Sequence, residues 1–227
     1  MAERSADTPP PPRRRPQQSR SRELVRAIRE AGLAILAERG AAGLTTNRIA
    51  ERAGVGIASL YRYYPDKDAI LADLFDEKVR VIDQFYRDTI AGQSLETLPL
   101  REKVHHLVAT PVAISRELLA LHRDFFQHHH LRFEISYRHG PDGEHSWVEW
   151  AETWWRQVLA ADRAALRVAD LDIAAKLSLA AARGAIDTAI ARYPEVLEQP
   201  AFAEALVDMV CRYLLPDSPS GAAERDS

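Results

Sequence analysis

The 227-residue chain has a single cysteine, Cys211, no uninterrupted apolar stretch near the ~20 residues of a membrane span, and no excess of positive charge. Each shortage closes off a class of protein. One thiol cannot build an internal disulfide framework or complete a thiolate metal site, so a reducing, cytoplasmic setting is expected. The first residues are prolines and arginines where an export signal needs an apolar run, so neither export nor a membrane partner is indicated. Apolar–polar alternation of strand length is missing, and so are internal repeats. Lys and Arg number 30 against 33 Asp and Glu, a net charge of −3, which does not suit a generally basic nucleic-acid binder.

The charge that is present is unevenly placed. Residues 1–70 hold 13 Lys and Arg against 8 Asp and Glu, whereas the remainder holds 17 against 25. A polyphosphate partner is therefore expected at the N-terminal third, with the acidic remainder facing away from it. A make-up of 46% apolar and 28% charged residues belongs to a globular protein with a sizeable core.

Helical periodicity runs through most of the chain, and the expected fold class is all-α with about nine helices. Residues 1–20, with Pro9–Pro12 and Arg13–Arg15, read as a disordered basic, Pro-rich arm, and 217–227 as a disordered tail. From Ser21, Leu24, Ile28, Ala31 and Ile35 recur at helical spacing until Gly40. Thr45 or Thr46 can cap a short second helix with Ile49, Ala50 and Ala53 inward, and Gly54 supplies a left-handed exit. A third helix runs from about Ile57 to Tyr64, where Pro65 stops it, and Asp66 can cap a long fourth helix towards Gly92. Further helices are expected at about 100–119 (broken or bent near Pro111), 120–138, 146–166, 170–192 and 200–215.

Two short helices hinged at a glycine and closed by a proline form a helix-turn-helix pattern over residues 44–71, whose dominant use is to lay the second helix in the DNA major groove. With Leu60 inward, neighbouring positions about 100° apart turn Ile57, Ala58, Ser59, Tyr61 and Tyr63 outward. Short side chains at 57–59 let the backbone approach base edges: Ser59 can hydrogen-bond several bases, and Ile57 or Ala58 can pack on a thymine methyl. Thr46 and Asn47, opening the second helix, are further candidates. Tyr64 follows Leu60 at inward spacing and is expected in the core.

Over about 50 residues the pattern resembles the DNA-binding domain of the TetR family of one-component transcriptional regulators, through Thr45-Thr46, Ile49-Ala50, Ala53-Gly54-Val55, Leu60-Tyr61, Tyr63-Tyr64 and Pro65-Asp66-Lys67-Asp68. The resemblance implies that Tyr61 and Lys67 clamp phosphates and that Tyr63 contacts base or backbone. It implies a DNA-binding domain over 21–68 and an effector-binding and dimerisation domain over 69–216. The chain departs from the family at Gly56, where many members open the third helix with Ser or Thr; one cap bond is lost.

Trp147, Trp150 and Trp154 lie on one helical face, and such stripes serve either as core or as the wall of an apolar effector cavity, with Phe125, Phe126 and Phe133 as a facing wall. The expected effector pocket also takes in His122 and His129, which share a helical stripe with Phe126 and Phe133. Consecutive histidines at 128–130 diverge on a helix, and His122 and His129 stand seven residues apart, too far for a compact single-helix metal site, so no metal or other cofactor is assigned. No nucleophile with an identifiable base and no phosphate loop is apparent, which leaves an enzyme using the histidines as a remote alternative. The small residues of 170–192 let helices approach closely. The resemblance implies a four-helix dimer interface there, with Leu177, Ala181, Gly184, Ala185, Phe202, Leu206, Met209, Val210 and Tyr213. The expected protein is a homodimeric repressor on palindromic double-stranded DNA, released by a small apolar or aromatic effector. A regulator without an effector is the other reading.

Overall fold

In a computed structural model the chain is described over residues 19–92, 98–135, 138–140 and 142–216. Among these residues there are nine α-helices, with one isolated bridge between His139 and Ser146, so the fold is all-α as expected. Of the expected arm, only residues 19 and 20 are described, and they open the first helix; the expected tail lies outside the described residues. Two compact units result. One holds the chain up to Asp88 with Glu117–Glu134, the other Thr89–Arg116 with the residues from Ile135 onward.

The first unit is built on α1 (Ser19–Gly43), α2 (Thr46–Arg52), α3 (Ile57–Tyr63) and most of α4 (Lys67–Gly92). Val25, Ile28, Ala31, Ile35 and Leu36 bury the expected stripe of α1, which breaks at Gly40, where φ is 64°. Such a left-handed turn costs a residue with a Cβ but not glycine. Thr45 Oγ1 accepts the Arg48 N–H at 3.3 Å to cap α2, Gly54 (φ 66°) reverses the chain, and Asp66 Oδ1 accepts the Ala69 N–H at 2.8 Å to cap α4. A Cβ on Gly32 would stand 3.1 Å from Leu74 Cδ1, so α1 and α4 touch where one side chain is missing.

Phe75 of α4 sits at the centre of the remaining packing. Its ring lies 5.3, 5.7 and 5.0 Å from those of Phe125, Phe126 and Phe133, all four buried. Offset and tilted aromatic contacts at these separations add to the area they bury. The single helix expected over 120–138 is instead α6 (Arg123–His129) followed by a 3₁₀ turn, His130–Phe133. The cause is His122, extended at φ −163°, whose Nδ1 accepts the Phe125 N–H at 3.3 Å and restarts the helix.

In the second unit, α5 (Leu100–Leu121, shared with the first) runs through Pro111, where a break or bend was expected. A proline forfeits one intrahelical bond, and here Val104, Val108 and Val112 are buried along one face of the continuous helix. The helix α7 (Trp147–Ala161) starts at a capping box in which Ser146 and Glu149 bond each other's backbone N–H. It ends at Ala161, short of the expected 166, before a 3₁₀ turn over Arg163–Ala165. The helices α8 (Leu171–Arg192) and α9 (Pro200–Leu214) complete the unit. Trp155 is fully buried and donates Nε1–H to Ser178 Oγ at 2.9 Å, which ties α7 to the small-residue face of α8. The buried ammonium of Lys103 is paired with Asp162 at 2.7 Å.

Replacing Phe75 by Ala removes the ring on which three others converge. A loss of about 3–5 kcal/mol is expected, measurable as a lower denaturant midpoint; a change below about 1 kcal/mol would show that the cluster is not the core of this unit.

Candidate nucleic-acid interface

The reading surface begins with the chemistry at the two ends of the turn. Gly56 precedes α3 with φ −66° and ψ 140° and offers no side-chain cap, as its identity requires. Its carbonyl instead accepts the N–H groups of Ser59 and Leu60 at 2.8 and 3.1 Å. The first turn of α3 therefore shows Ile57 and Ala58 exposed and Ser59 half-exposed, while Leu60 is buried beneath. Asn47 is exposed and Thr46 half-exposed on α2.

The structure brings two of the expected residues together: the hydroxyls of Thr46 and Tyr61 lie 3.1 Å apart, one from each helix of the motif. Tyr61 is 43% exposed, so this pair of hydroxyls is a ready donor for an anionic oxygen. Arg48, also on α2, is exposed and donates Nη1–H to the Gly43 carbonyl at 3.0 Å. Lys67, half-buried, opens α4.

Tyr63 departs from its expected outward position. It is 7% exposed, and its hydroxyl donates to Ser21 Oγ of α1 at 3.0 Å. Tyr63 is the last residue of α3 and stands three positions from the buried Leu60, so it shares that inward face and meets α1, and Arg62 stands over its ring at 6.0 Å.

Tyr64 is buried, as expected, but its partner lay beyond sequence reasoning. Its hydroxyl donates to Asp73 Oδ2 of α4. The same carboxylate receives Arg29 of α1 in a two-pronged pair, Nε to Oδ2 and Nη2 to Oδ1, both at 2.7 Å. Burial and then the Asp73 charge push the Tyr64 hydroxyl above its ordinary value, and the hydrogen bond to Asp73 holds the Arg29 guanidinium above its own. The one available signal was a carboxylate interrupting the apolar run Ile70, Leu71, Leu74, Phe75.

Among the expected effector residues, Phe125, Phe126 and Phe133 are core of the first unit, packed on Phe75. His122 is the cap of α6 rather than a residue within a helix, and His129 lies 4.7 Å from the Phe125 ring. Trp147, Trp150 and Trp154 belong to the second unit and are half-exposed on α7, with Trp150 and Trp154 stacked at 5.9 Å. Among the described residues no group of three or more His, Cys, Asp or Glu is placed to hold a metal ion, and no helix is long and apolar enough to cross a membrane.

Of the expected dimer residues, Leu177 and Met209 are 50% and 46% exposed; Gly184 is exposed, and Ala181, Ala185, Phe202 and Tyr213 are half-exposed. Leu206 and Val210 are corrections: at 5% and 1% exposure they are buried within the chain's own core. On a helix with two apolar sides, spacing alone does not say which side packs inside.

A capped helix, a left-handed glycine turn and a second helix with an exposed first turn define a helix-turn-helix DNA-binding protein. Residues 28–74 match the family model for bacterial regulatory proteins of the tetR family. The head accordingly matches the DNA-binding domain of the tetR family of bacterial regulatory proteins. It is 33% identical over 99 residues to YxbF, an uncharacterised HTH-type transcriptional regulator of Bacillus subtilis; the match covers 44% of this chain and only 24% of that regulator's length. Among solved structures it is similar to NalD, the secondary repressor of the MexAB-OprM multidrug efflux pump in Pseudomonas aeruginosa (19% identity, 87% of this chain and 100% of that one, TM-score 0.48). A TetR transcription regulator from Haloarcula marismortui is similar at 19% identity over 86% and 100% of the two chains, with a TM-score of 0.47.

His122 gives this unit a pH dependence with a defined sign. Burial first, and then the charge of Lys67, lower its pKa from the ordinary 6.5. As pH falls through about 6.5, the unfolded chain takes up a proton that the folded chain refuses, so stability present above that pH is lost below it. An asparagine caps equally well without titrating. Unfolding free energies for H122N at about pH 7 and about pH 5 should differ less than those of the parent; equal acid sensitivity in both would contradict the assignment.

Proposed function

We propose that the protein is a cytoplasmic, homodimeric repressor that reads a roughly palindromic operator and is released by a small apolar or aromatic effector. The observation that carries the DNA-reading part is the exposed first turn of α3 beside the Thr46–Tyr61 hydroxyl pair. In this reading residues 21–68 form the reading head. Ile57, Ala58, Ser59 and Asn47 meet bases, Thr46, Tyr61 and Lys67 hold phosphates, and Tyr63 acts chiefly by packing against α1. Residues 69–216 dimerise and sense the effector.

The exposed apolar side of α8 supports the dimer. Ile173 and Leu177 are exposed along it, in line with the small Gly184 and with Thr188, and Met209 is exposed on α9; large apolar side chains such as these three are normally covered. Two copies related by a two-fold axis would set their α3 helices on half-sites about one DNA turn apart. Effector release follows as a population shift: a ligand that prefers the non-binding spacing lowers operator affinity by its differential affinity for the two states. The half-exposed Trp147, Trp150 and Trp154 supply flat apolar surface for such a ligand.

The test is selection of bound duplexes from a random-sequence pool, followed by gel-shift titration across salt concentrations. Sequence-selective, salt-sensitive binding is expected, and its absence would overturn the reading. Lys67→Ala should weaken binding about equally on all sequences and reduce the slope of log affinity against log salt by about 1. A combined Leu177→Arg and Met209→Arg change should give a monomer by sedimentation and lose operator affinity about a hundredfold, since the second half-site is no longer bound in the same event; a dimer that persists would place the interface elsewhere.

A further inference from the structure

Three helices of the first unit meet at one carboxylate. Asp73 of α4 receives three donors on two oxygens: the fork of Arg29 from the middle of α1, and the hydroxyl of Tyr64 from the end of α3. Arg29 also reaches Glu77 at 3.6 Å, and Glu77 in turn holds Arg80. Tyr64 is the first residue beyond α3, with φ −123° and ψ 118°, and its N–H still donates to the Leu60 carbonyl at 3.0 Å. Pro65 follows and restricts it to this extended geometry. The ring therefore turns with the last turn of α3 and has little freedom of its own.

The surrounding core cannot do the same work. Ile28 of α1, Leu60 of α3 and Ile70 and Leu74 of α4 are buried and attract without direction, so apolar burial of this kind tolerates small rotations. Charge-assisted hydrogen bonds have strict length and angle, and a forked arginine on a carboxylate fixes two of them at once.

We propose that Asp73 is a positioning residue for DNA reading, which acts through Arg29 and Tyr64 to fix the angle at which α3 is presented. The proposal rests on the DNA-reading function above. Asp73 and Tyr64 are both buried and do not meet the nucleic acid themselves. Their effect is on sequence discrimination: a slight turn of α3 misplaces Ile57, Ala58 and Ser59 from base edges, whereas phosphate contacts from flexible side chains adapt.

The experiment compares wild type, Tyr64→Phe and Asp73→Asn on two duplexes: the one that wild type enriches from a random-sequence pool, and poly(dI-dC). Y64F keeps the buried ring and deletes only the hydroxyl. Its affinity for the selected duplex should fall about tenfold, with affinity for poly(dI-dC) and the salt slope unchanged, and D73N should lose at least as much of the ratio. Thermal melts by circular dichroism identify the folded fraction at the assay temperature. A structural role alone lowers both affinities together, in step with that fraction; this result, or an unchanged ratio in both variants, overturns the proposal. Failure of wild type to enrich any sequence overturns the DNA-reading function itself, before the variants are compared.

Discussion

A buried carboxylate is the constraint around which the DNA-binding end of this chain is arranged. Taking the charge of Asp73 out of water is costly unless it is fully paired, and removing one partner of such a pair typically costs about 3–5 kcal/mol. The chain meets the demand from two directions. Arg29 comes from 44 residues upstream along α1, and Tyr64 from just beyond α3. Neither donor is free to move once bound, and so α1, α3 and α4 share one fixed point. Phe75 lies two residues further along α4 and faces α6 and the 3₁₀ turn behind it. Within a single turn of α4 the chain sets a polar anchor towards the reading head and an aromatic anchor towards α6.

This arrangement changes the meaning of α4. A long helix between a DNA-reading domain and a body looks like a connector, with the boundary near residue 68. In the structure its residues up to Asp88 belong to the same compact unit as the head, together with α6. The start of α4 is also where charges from different elements meet, since Lys67 and Asp68 lie close enough to His122 to act on its titration, with Asp124 on α6. The N-terminal turn of α4 and the cap of α6 are thus electrically coupled within one unit.

What was legible in the sequence was local. Gly40, Thr45, Gly54, Pro65 and Asp66 each act through the backbone within about four residues, and each ends, caps or turns a helix where its chemistry says it should. What was missed depends on residues far apart. The Arg29–Asp73 pair spans 44 positions, and no spacing rule links them. Tyr63 stands three positions from Leu60 and shares its inward face, which an outward reading of the whole last turn overlooks, and His122 reads as helical unless its ring replaces a backbone carbonyl as partner of the Phe125 N–H. Leu206 and Val210 share the apolar character of Met209 but not its side of α9; only packing against the rest of the unit separates them.

In the proposed reading, the head brings only short side chains to the base edges. Its exposed first turn offers Ile57, Ala58 and Ser59, and none of these makes the two-pronged contact by which an arginine or glutamine reads a base. A long side chain can follow a base edge through an error of an ångström or more, because its torsions absorb it. A methyl or a serine hydroxyl cannot, and dispersion and hydrogen-bond energies fall steeply over that distance. Discrimination by short side chains therefore requires that the helix carrying them be held more rigidly than discrimination by long ones. A directional polar junction beneath α3, made from the costliest kind of buried group, is what such a head needs and what apolar packing alone does not supply.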